Sequence, residues 1–468
     1  MYIQQLYTGC LSEAAYYIES QGEAAIIDPL RDIEEYLLLA KERKATIKYI
    51  FETHFHADFV SGHLDLAQAS GAPIIYGPET ETAFPIYKAK DGEVFRLGDL
   101  TLEVLHTPGH TVESSCYLLK DAHGKAYAIF TGDTLFVGDV GRPDLSSGDL
   151  DKEELAGMLF DSLQKKIKPL PDEVIIYPAH GQGSSCGKNL GPDTYSTLGE
   201  ERKTNYALKQ EDRQEFIRSV TEGLNVAPQY FPINARINKE GYESLEGVME
   251  SALTPLSLAD FKGLILQEDT IILDTRFSEV FTEGFIPGSI SIGLDGRFAE
   301  WAGSLLPFDK PLVLIAEPGK EKESAVRLAR VGFDQMKGFL EGGFKTWKSA
   351  GEKIDLIINV EADELALDLR FDPKLRVVDV RRETEYGDGH LASAQNIPLE
   401  TLTDPGTMAD FNDTDNIYLH CGSGFRSVIA CSLFKRQGIH NLRNVVGGYE
   451  AIRALSGIET VKENSVLN

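Results

Sequence analysis

Over the first 200 residues, short β-branched or aromatic runs alternate with amphipathic stretches. The runs EAAIIDP, IKYIFET, APIIYG, LTLEVLH, AYAIFTGD and EVIIYPAH predict strands separated by helices, a layered α/β arrangement. Several of these strands end in a polar cluster. Loops at strand ends are where layered α/β proteins carry chemistry, so ETHFHAD, HTPGH, TGD and YPAH mark one candidate site. From about Lys209 to Ala259 the pattern turns polar, and PQYFPINARINKEGYES, rich in Pro and Asn, reads as a docking connector rather than a core element.

Beyond the connector the chain repeats itself. TIILDTRFSEVFTEGFIPGSISI (Thr270 to Ile292) overlays LRVVDVRRETEYGDGHLASAQNI (Leu375 to Ile397) at an offset of 105 residues. At that offset Asp274 falls on Asp379, Arg276 on Arg381, Gly284 on Gly389, and Gly342-Gly343 on Gly447-Gly448. The register holds without a gap for about 75 positions, which predicts two copies of one small α/β domain. The expected boundaries are 1–245 for the first domain, 255–352 for the first copy and 358–468 for the second.

Composition narrows the function classes. A length of 468 residues suits two to four domains, and 42% hydrophobic with 25% charged residues is that of a folded globular protein. With 46 Lys and Arg against 73 Asp and Glu, the net charge of −27 has the wrong sign for nucleic acid or an anionic membrane. No apolar run approaches the roughly 20 residues of a membrane span, and the N-terminus lacks a signal-peptide layout, so the expectation is a cytoplasmic protein. Five scattered cysteines, Cys10, Cys116, Cys186, Cys421 and Cys431, argue against a disulfide framework.

His54, His56 and Asp58 occupy alternate positions just after a strand, where a loop can turn nitrogen and carboxylate ligands toward one point. His110, Asp133 and His180 also stand at strand ends, which together favours a metal site over a merely polar loop. THFHAD, TPGH, TGD and PAH, in this order, resemble the metal-binding motifs of the metallo-β-lactamase superfamily, whose fold is an αββα sandwich with its metal at one edge. In dinuclear members the first motif ends in a further His; here Phe59 stands at that position, so a second metal would lose a ligand.

Within the superfamily, the motifs are most similar to those of persulfide dioxygenases, which use mononuclear non-haem Fe(II). The resemblance implies His54, His110 and Asp133 as ligands, a facial triad with open positions that suits Fe(II) and O2 better than a closed zinc site. His56, Asp58 and His180 would then partner and orient the ligands. Arg142 in GDVGRPD could hold a substrate carboxylate or simply bridge to Asp144. Cys186, in the Gly- and Ser-rich GQGSSCGKNLG that follows His180, is expected to be exposed near the metal with a role in the substrate pocket, an ordinary buried thiol being the alternative. This loop is similar to that of bacterial members fused to sulfurtransferase domains.

In the second copy of the repeat, NIYLHCGSGFRSVIACSLFKRQG reads as a strand ending at His420, a tight loop from Cys421 to Arg426, and a helix. Amides of Gly422, Ser423, Gly424 and Phe425, together with the helix N-terminus, would stabilise a thiolate and could bind an anion. With Arg426 closing the loop, Cys421 would be an ionised nucleophile able to carry a transferable sulfur. Only four residues separate Cys421 from Arg426, one fewer than in phosphatase-type loops. The loop and its flanking segments look like a rhodanese (sulfurtransferase) domain, with Asp379, Arg381 and His390 as framework. The first copy has Ala316 and Glu321 at the matching positions, so it lacks both nucleophile and loop cation.

The expected function is a persulfide dioxygenase and rhodanese fusion, oxidising a low-molecular-weight thiol persulfide with O2 to sulfite and thiol, while Cys421 moves sulfur to or from sulfite or thiosulfate. Rival readings are a zinc-dependent thioester hydrolase resembling glyoxalase II, against which Phe59 counts, and a non-catalytic persulfide carrier or sensor. The sequence leaves a homo-oligomer open.

Overall fold

A computed structural model describes residues 1–145, 150–224, 226–267, 269–412 and 414–463. The chain forms two compact units, one of residues 1–247 with 328–334 and one of residues 248–327 with 335–468.

The first unit is built on two six-stranded sheets. One orders β1 (Tyr2–Thr8), β2 (Glu13–Ser20), β3 (Glu23–Ile27), β4 (Thr46–Phe51), β5 (Ile74–Tyr76) and β6 (Tyr87–Lys88); the other orders β7 (Val94–Leu97), β8 (Leu100–His106), β9 (Ser115–Lys120), β10 (Ala126–Gly132), β11 (Ile175–Pro178) and β12 (Ser196–Thr197). Alternation along β2 shows how the layers arise. Tyr16 and Ile18 point between the sheets, where Phe51, Tyr117, Leu119 and Phe130 meet them. Ala15 and Tyr17 face outward, under Tyr36, Ala40 and Leu66 of the helices Glu34–Arg43 and His63–Ser70. On the outer face of the second sheet, Leu118 and Ile129 pack with Leu159 and Phe216 of the helices Lys152–Ser162 and Arg213–Thr221. The result is the expected αββα sandwich.

The second unit contains two parallel five-stranded sheets of one topology. Strands β13 (Pro255–Leu256), β14 (Ile271–Asp274), β15 (Ile290–Ser291), β16 (Leu312–Ile315) and β17 (Met336–Leu340) run in the order β13-β17-β16-β14-β15. Strands β18 (Ile358–Val360), β19 (Leu375–Asp379), β21 (Ala394–Asn396), β22 (Asn416–His420) and β23 (Leu442–Val445) run in the matching order β18-β23-β22-β19-β21, while β20 (His390–Leu391) pairs with β24 (Thr460–Val461). Every residue of β14 and β16 is buried, as parallel strands covered on both faces require.

The repeat extends to framework contacts. Arg276 forks onto Asp274 and donates to the Gly284 carbonyl, and Arg381 does the same with Asp379 and Gly389. Phe344 and Tyr449 lie under the two guanidinium groups, at 4.3 and 4.0 Å. Gly343 and Gly448 both adopt positive φ, and a Cβ there would come within 2.7 and 2.4 Å of the carbonyl oxygens of Ala316 and Cys421.

The connector is not what its composition suggested. Residues 213–265 carry helices, among them Arg213–Thr221 and Phe231–Glu240 in the first unit and Leu258–Ile265 in the second. Tyr230, Phe231, Asn234 and Asn238 are buried, so one face of PQYFPINARINKEGYES packs into the core. Asn238 explains how: its amide satisfies backbone groups of a neighbouring loop, which lets a polar residue be buried. Among the described residues, no helix is long and apolar enough to cross a membrane.

Candidate metal centre and cysteine loop

The loops that follow β4 of one sheet and β8, β10 and β11 of the other carry His54, His110, Asp133 and His180 to one place. His54 Nε2 lies 3.7 Å and His110 Nε2 3.4 Å from Asp133 Oδ2, and all three side chains are buried. The hydrogen bonds fix which nitrogens face inward. The Thr53 hydroxyl donates to Asp28 Oδ2 at 2.9 Å and therefore accepts from His54 Nδ1, also at 2.9 Å, leaving a lone pair on Nε2. His110 Nδ1 donates to the Arg142 carbonyl at 2.8 Å, with the same consequence. Asp133 Oδ2 is buried with no hydrogen-bond partner among the described residues. Two imidazole lone pairs and an orphaned carboxylate oxygen thus converge, and this donor set fits a divalent metal.

The second set expected from the sequence lies beside the first. His180 donates from Nδ1 to Asp133 Oδ1 at 2.7 Å, and its Nε2 is 2.8 Å from Asp58 Oδ2. His56, Asp58 and His180 also bring ligand atoms within 4.8 Å of one another. Phe59 is fully buried with its ring centroid 4.3 Å from that of His56. Burial alone would lower the His180 imidazolium, but Asp133 and Asp58 outweigh it and raise its pKa well above the usual histidine range. Burial lowers His54, reinforced by its neighbour His56. For Asp133 burial works the other way, yet His180, His54 and His110 hold its carboxyl far below the ordinary value.

Several supports carried no metal-site signal in the sequence. Asp28 accepts from the Thr53 amide at 2.7 Å, and its Oδ1 lies 3.1 Å from His56 Nε2. Asn238 donates to the carbonyls of His56 and Phe59, each at 2.8 Å, and accepts from the Ser61 amide at 2.9 Å. Gly141 is required by close approach: a Cβ would stand 2.0 Å from the Asp133 carbonyl oxygen.

One expectation near this site needs correction, and one alternative is decided. Cys186 lies close to the site, its Sγ grouped with ligand atoms of Asp133 and His180, but it is 1% exposed rather than open. The loop folds inward because the Arg142 amide donates to the Cys186 carbonyl and the Lys188 amide to Asp139. Burial accordingly pushes the Cys186 thiol well up. Arg142 forks onto Asp144 at 2.9 and 2.7 Å and donates to the Ser185 carbonyl, so the loop bridge is the arrangement found.

In the second unit, β22 delivers Cys421 into the loop through Gly422, Ser423 and Gly424, and the helix Phe425–Arg436 begins behind it. The Gly424 amide donates to Cys421 Sγ at 3.1 Å, with Ser427 Oγ at 3.7 Å. Gly424 has φ +108, a conformation that suits glycine. Cys431 is buried on the helix, and burial pushes its thiol strongly up. Arg426 departs from expectation: its terminal nitrogens donate to Glu385 at 2.6 and 2.7 Å, and no hydrogen bond from it reaches Sγ among the described residues. In the first copy the matching amide, Gly319 N–H, donates at 2.8 Å to the carboxylate of Glu321.

The metallo-beta-lactamase superfamily model matches residues 8–180, and the rhodanese-like domain model matches residues 257–350 and 361–455. A probable hydroxyacylglutathione hydrolase, glo2 of Schizosaccharomyces pombe, is 33% identical over 168 residues, 35% of this chain and 61% of its own length. The match therefore covers less than two thirds of that relative. Hydroxyacylglutathione hydrolase GloC of Haemophilus influenzae is 30% identical over 209 residues, 40% of this chain and 88% of its own. The crystal structure of a metallo-beta-lactamase from Staphylococcus aureus subsp. aureus COL superposes with TM-score 0.65 and 34% identity, covering 73% of this chain and 98% of that one. Both the donor set at the sheet edge and these likenesses lead to one conclusion: the chain belongs to the metallo-β-lactamase superfamily, a metal-binding family, and continues into two rhodanese-like domains.

Proposed function

We propose that the chain is a persulfide dioxygenase joined to a sulfurtransferase, with His54, His110 and Asp133 as the ligands of one iron. The observation that carries this reading is the converging trio of lone pairs, two imidazole and one carboxylate, next to a position where Phe59 rather than a ligand packs on His56. A ferrous ion held there would supply one-electron chemistry toward O2 with positions left open for substrate. The chain's own groups orient the set: Thr53 and the Arg142 carbonyl fix the ligand tautomers, and His180 holds Asp133.

The overall reaction is RSSH + O2 + H2O giving RSH, HSO3⁻ and H⁺, in which the outer sulfur is oxidised and O2 reduced. At the second site a persulfide on Cys421 passes its outer sulfur to sulfite, the S–S bond breaking toward the Cys421 thiolate and thiosulfate leaving. Two sulfur-handling modules on one chain favour this coupling. The domain limits of 1–245, 255–352 and 358–468 belong to the same reading.

A second reading, a zinc-dependent thioester hydrolase, is favoured by the names of the matched relatives and by the adjacent trio of His56, Asp58 and His180. Product analysis separates the two. Sulfite formation from glutathione persulfide, without cleavage of a glutathione thioester, supports the dioxygenase; thioester cleavage without sulfite overturns it.

A further inference from the structure

The two rhodanese-like copies separate framework from function without recourse to any other protein. The Asp–Arg pair that closes the sheet end is kept in both, as Asp274 with Arg276 and Asp379 with Arg381. A second bidentate pair, Glu385 with Arg426, exists in the copy that carries Cys421. At the matching positions the first copy has Val280 and Glu321, so both partners are gone together with the cysteine. Since that copy keeps the same sheet order, arginine fork and glycine turn without the pair, the fold does not need it.

Glu385 is well placed to control Arg426. It sits in the helix Glu383–Gly387, where its carboxylate also accepts from the Arg382 amide at 3.2 Å. The side chain of Arg382 is likewise flanked by acids, Glu400 at 3.4 Å and Glu300 at 3.6 Å. Beside Cys421, then, the loop's cation is matched by a carboxylate, and the sulfur receives an amide and a hydroxyl instead. A doubly charged sulfur oxyanion entering this loop finds the Arg426 guanidinium already committed to the Glu385 carboxylate, whereas a reactant without charge is not opposed.

We propose that Glu385 is a specificity-determining residue of the Cys421 site: it holds Arg426 neutralised, so that anionic sulfur compounds reach Cys421 only by displacing Glu385 from the guanidinium. The inference rests on Cys421 being the sulfur-transfer nucleophile. It assigns Glu385 the task of weakening the binding of free oxyanions, thiosulfate and the sulfite acceptor alike, relative to uncharged sulfur donors, so that sulfite too must displace Glu385 before it takes the sulfur.

Alkylation of Cys421 in the full-length protein tests this, with iodoacetate as the anionic probe and iodoacetamide as its neutral counterpart, read by peptide mass spectrometry. Glu385→Gln should raise the iodoacetate-to-iodoacetamide rate ratio about fivefold or more, because Arg426 is released. The double variant Glu385→Gln/Arg426→Gln should return to within about twofold of the parent ratio. The KM for thiosulfate should fall in Glu385→Gln with a smaller change in kcat. An unchanged ratio in Glu385→Gln, or a double variant that keeps the raised ratio, overturns the proposal. If Glu385→Gln does not fold, Arg426→Gln alone decides: it leaves Glu385 unopposed and should lower the ratio about fivefold, and no change refutes the gate. Failure of the function itself is distinguishable, because a protein without sulfurtransferase activity still reports the alkylation ratio.

Discussion

At the scale of single residues, the metal centre depends on a chain of hydrogen bonds from Asp28 through Thr53 to His54, and each bond has only one polarity available. Thr53→Val removes the hydroxyl that accepts from His54 Nδ1, and should weaken metal binding about 10- to 100-fold, measured by competition with a chelator. An unchanged affinity would show that the tautomer is set by something else. His54, His110 and Asp133 were legible in the sequence because histidines and an aspartate at strand ends are hard to assign to packing. Asp28 was not, since an aspartate before a proline at the end of a strand reads equally well as a turn residue. Arg426 was legible as a cation but not in its partner: Glu385 stands 41 residues away, a separation that carries no periodic signal. Comparing the two copies position by position could have found it, as Val280 and Glu321 changed with Ala316.

At the scale of elements, the helix Phe231–Glu240 does more than connect. Asn238 holds three backbone groups of the segment from His56 to Ser61, which begins two residues after His54. Asn238→Ala leaves those groups buried without partners, and should destabilise the protein by about 2 kcal/mol or more in denaturant unfolding, with lower metal content. A change under about 0.5 kcal/mol would contradict the account. Composition misled here because Asn and Pro are turn-formers in isolation, and only tertiary contacts reveal that the amide is satisfied internally. The repeat, by contrast, was fully legible, because a constant register constrains two copies to one topology. It also predicts a failure to rescue: Ala316→Cys should give no measurable sulfurtransferase activity in a Cys421→Ser background, because the Gly319 amide already serves Glu321 and Pro318 offers none. Activity approaching that of the parent would show that the loop amides are interchangeable.

At the scale of the whole molecule, the two sites lie in different compact units, each with its own core. His110→Ala should abolish O2 consumption with persulfide and leave Cys421-dependent sulfur transfer within about twofold of the parent, while Cys421→Ser should do the reverse and release sulfite in place of thiosulfate. Loss of both activities in either folded variant would show that the sites are not independent. The central claim, that His54, His110 and Asp133 hold one iron for oxygen chemistry, is tested most directly by metal analysis of the anaerobically purified full-length protein combined with O2 uptake on adding glutathione persulfide. The account predicts about one iron per chain and O2 consumed in step with sulfur oxidised. Zinc in its place, with no O2 uptake and with cleavage of a glutathione thioester, would contradict it.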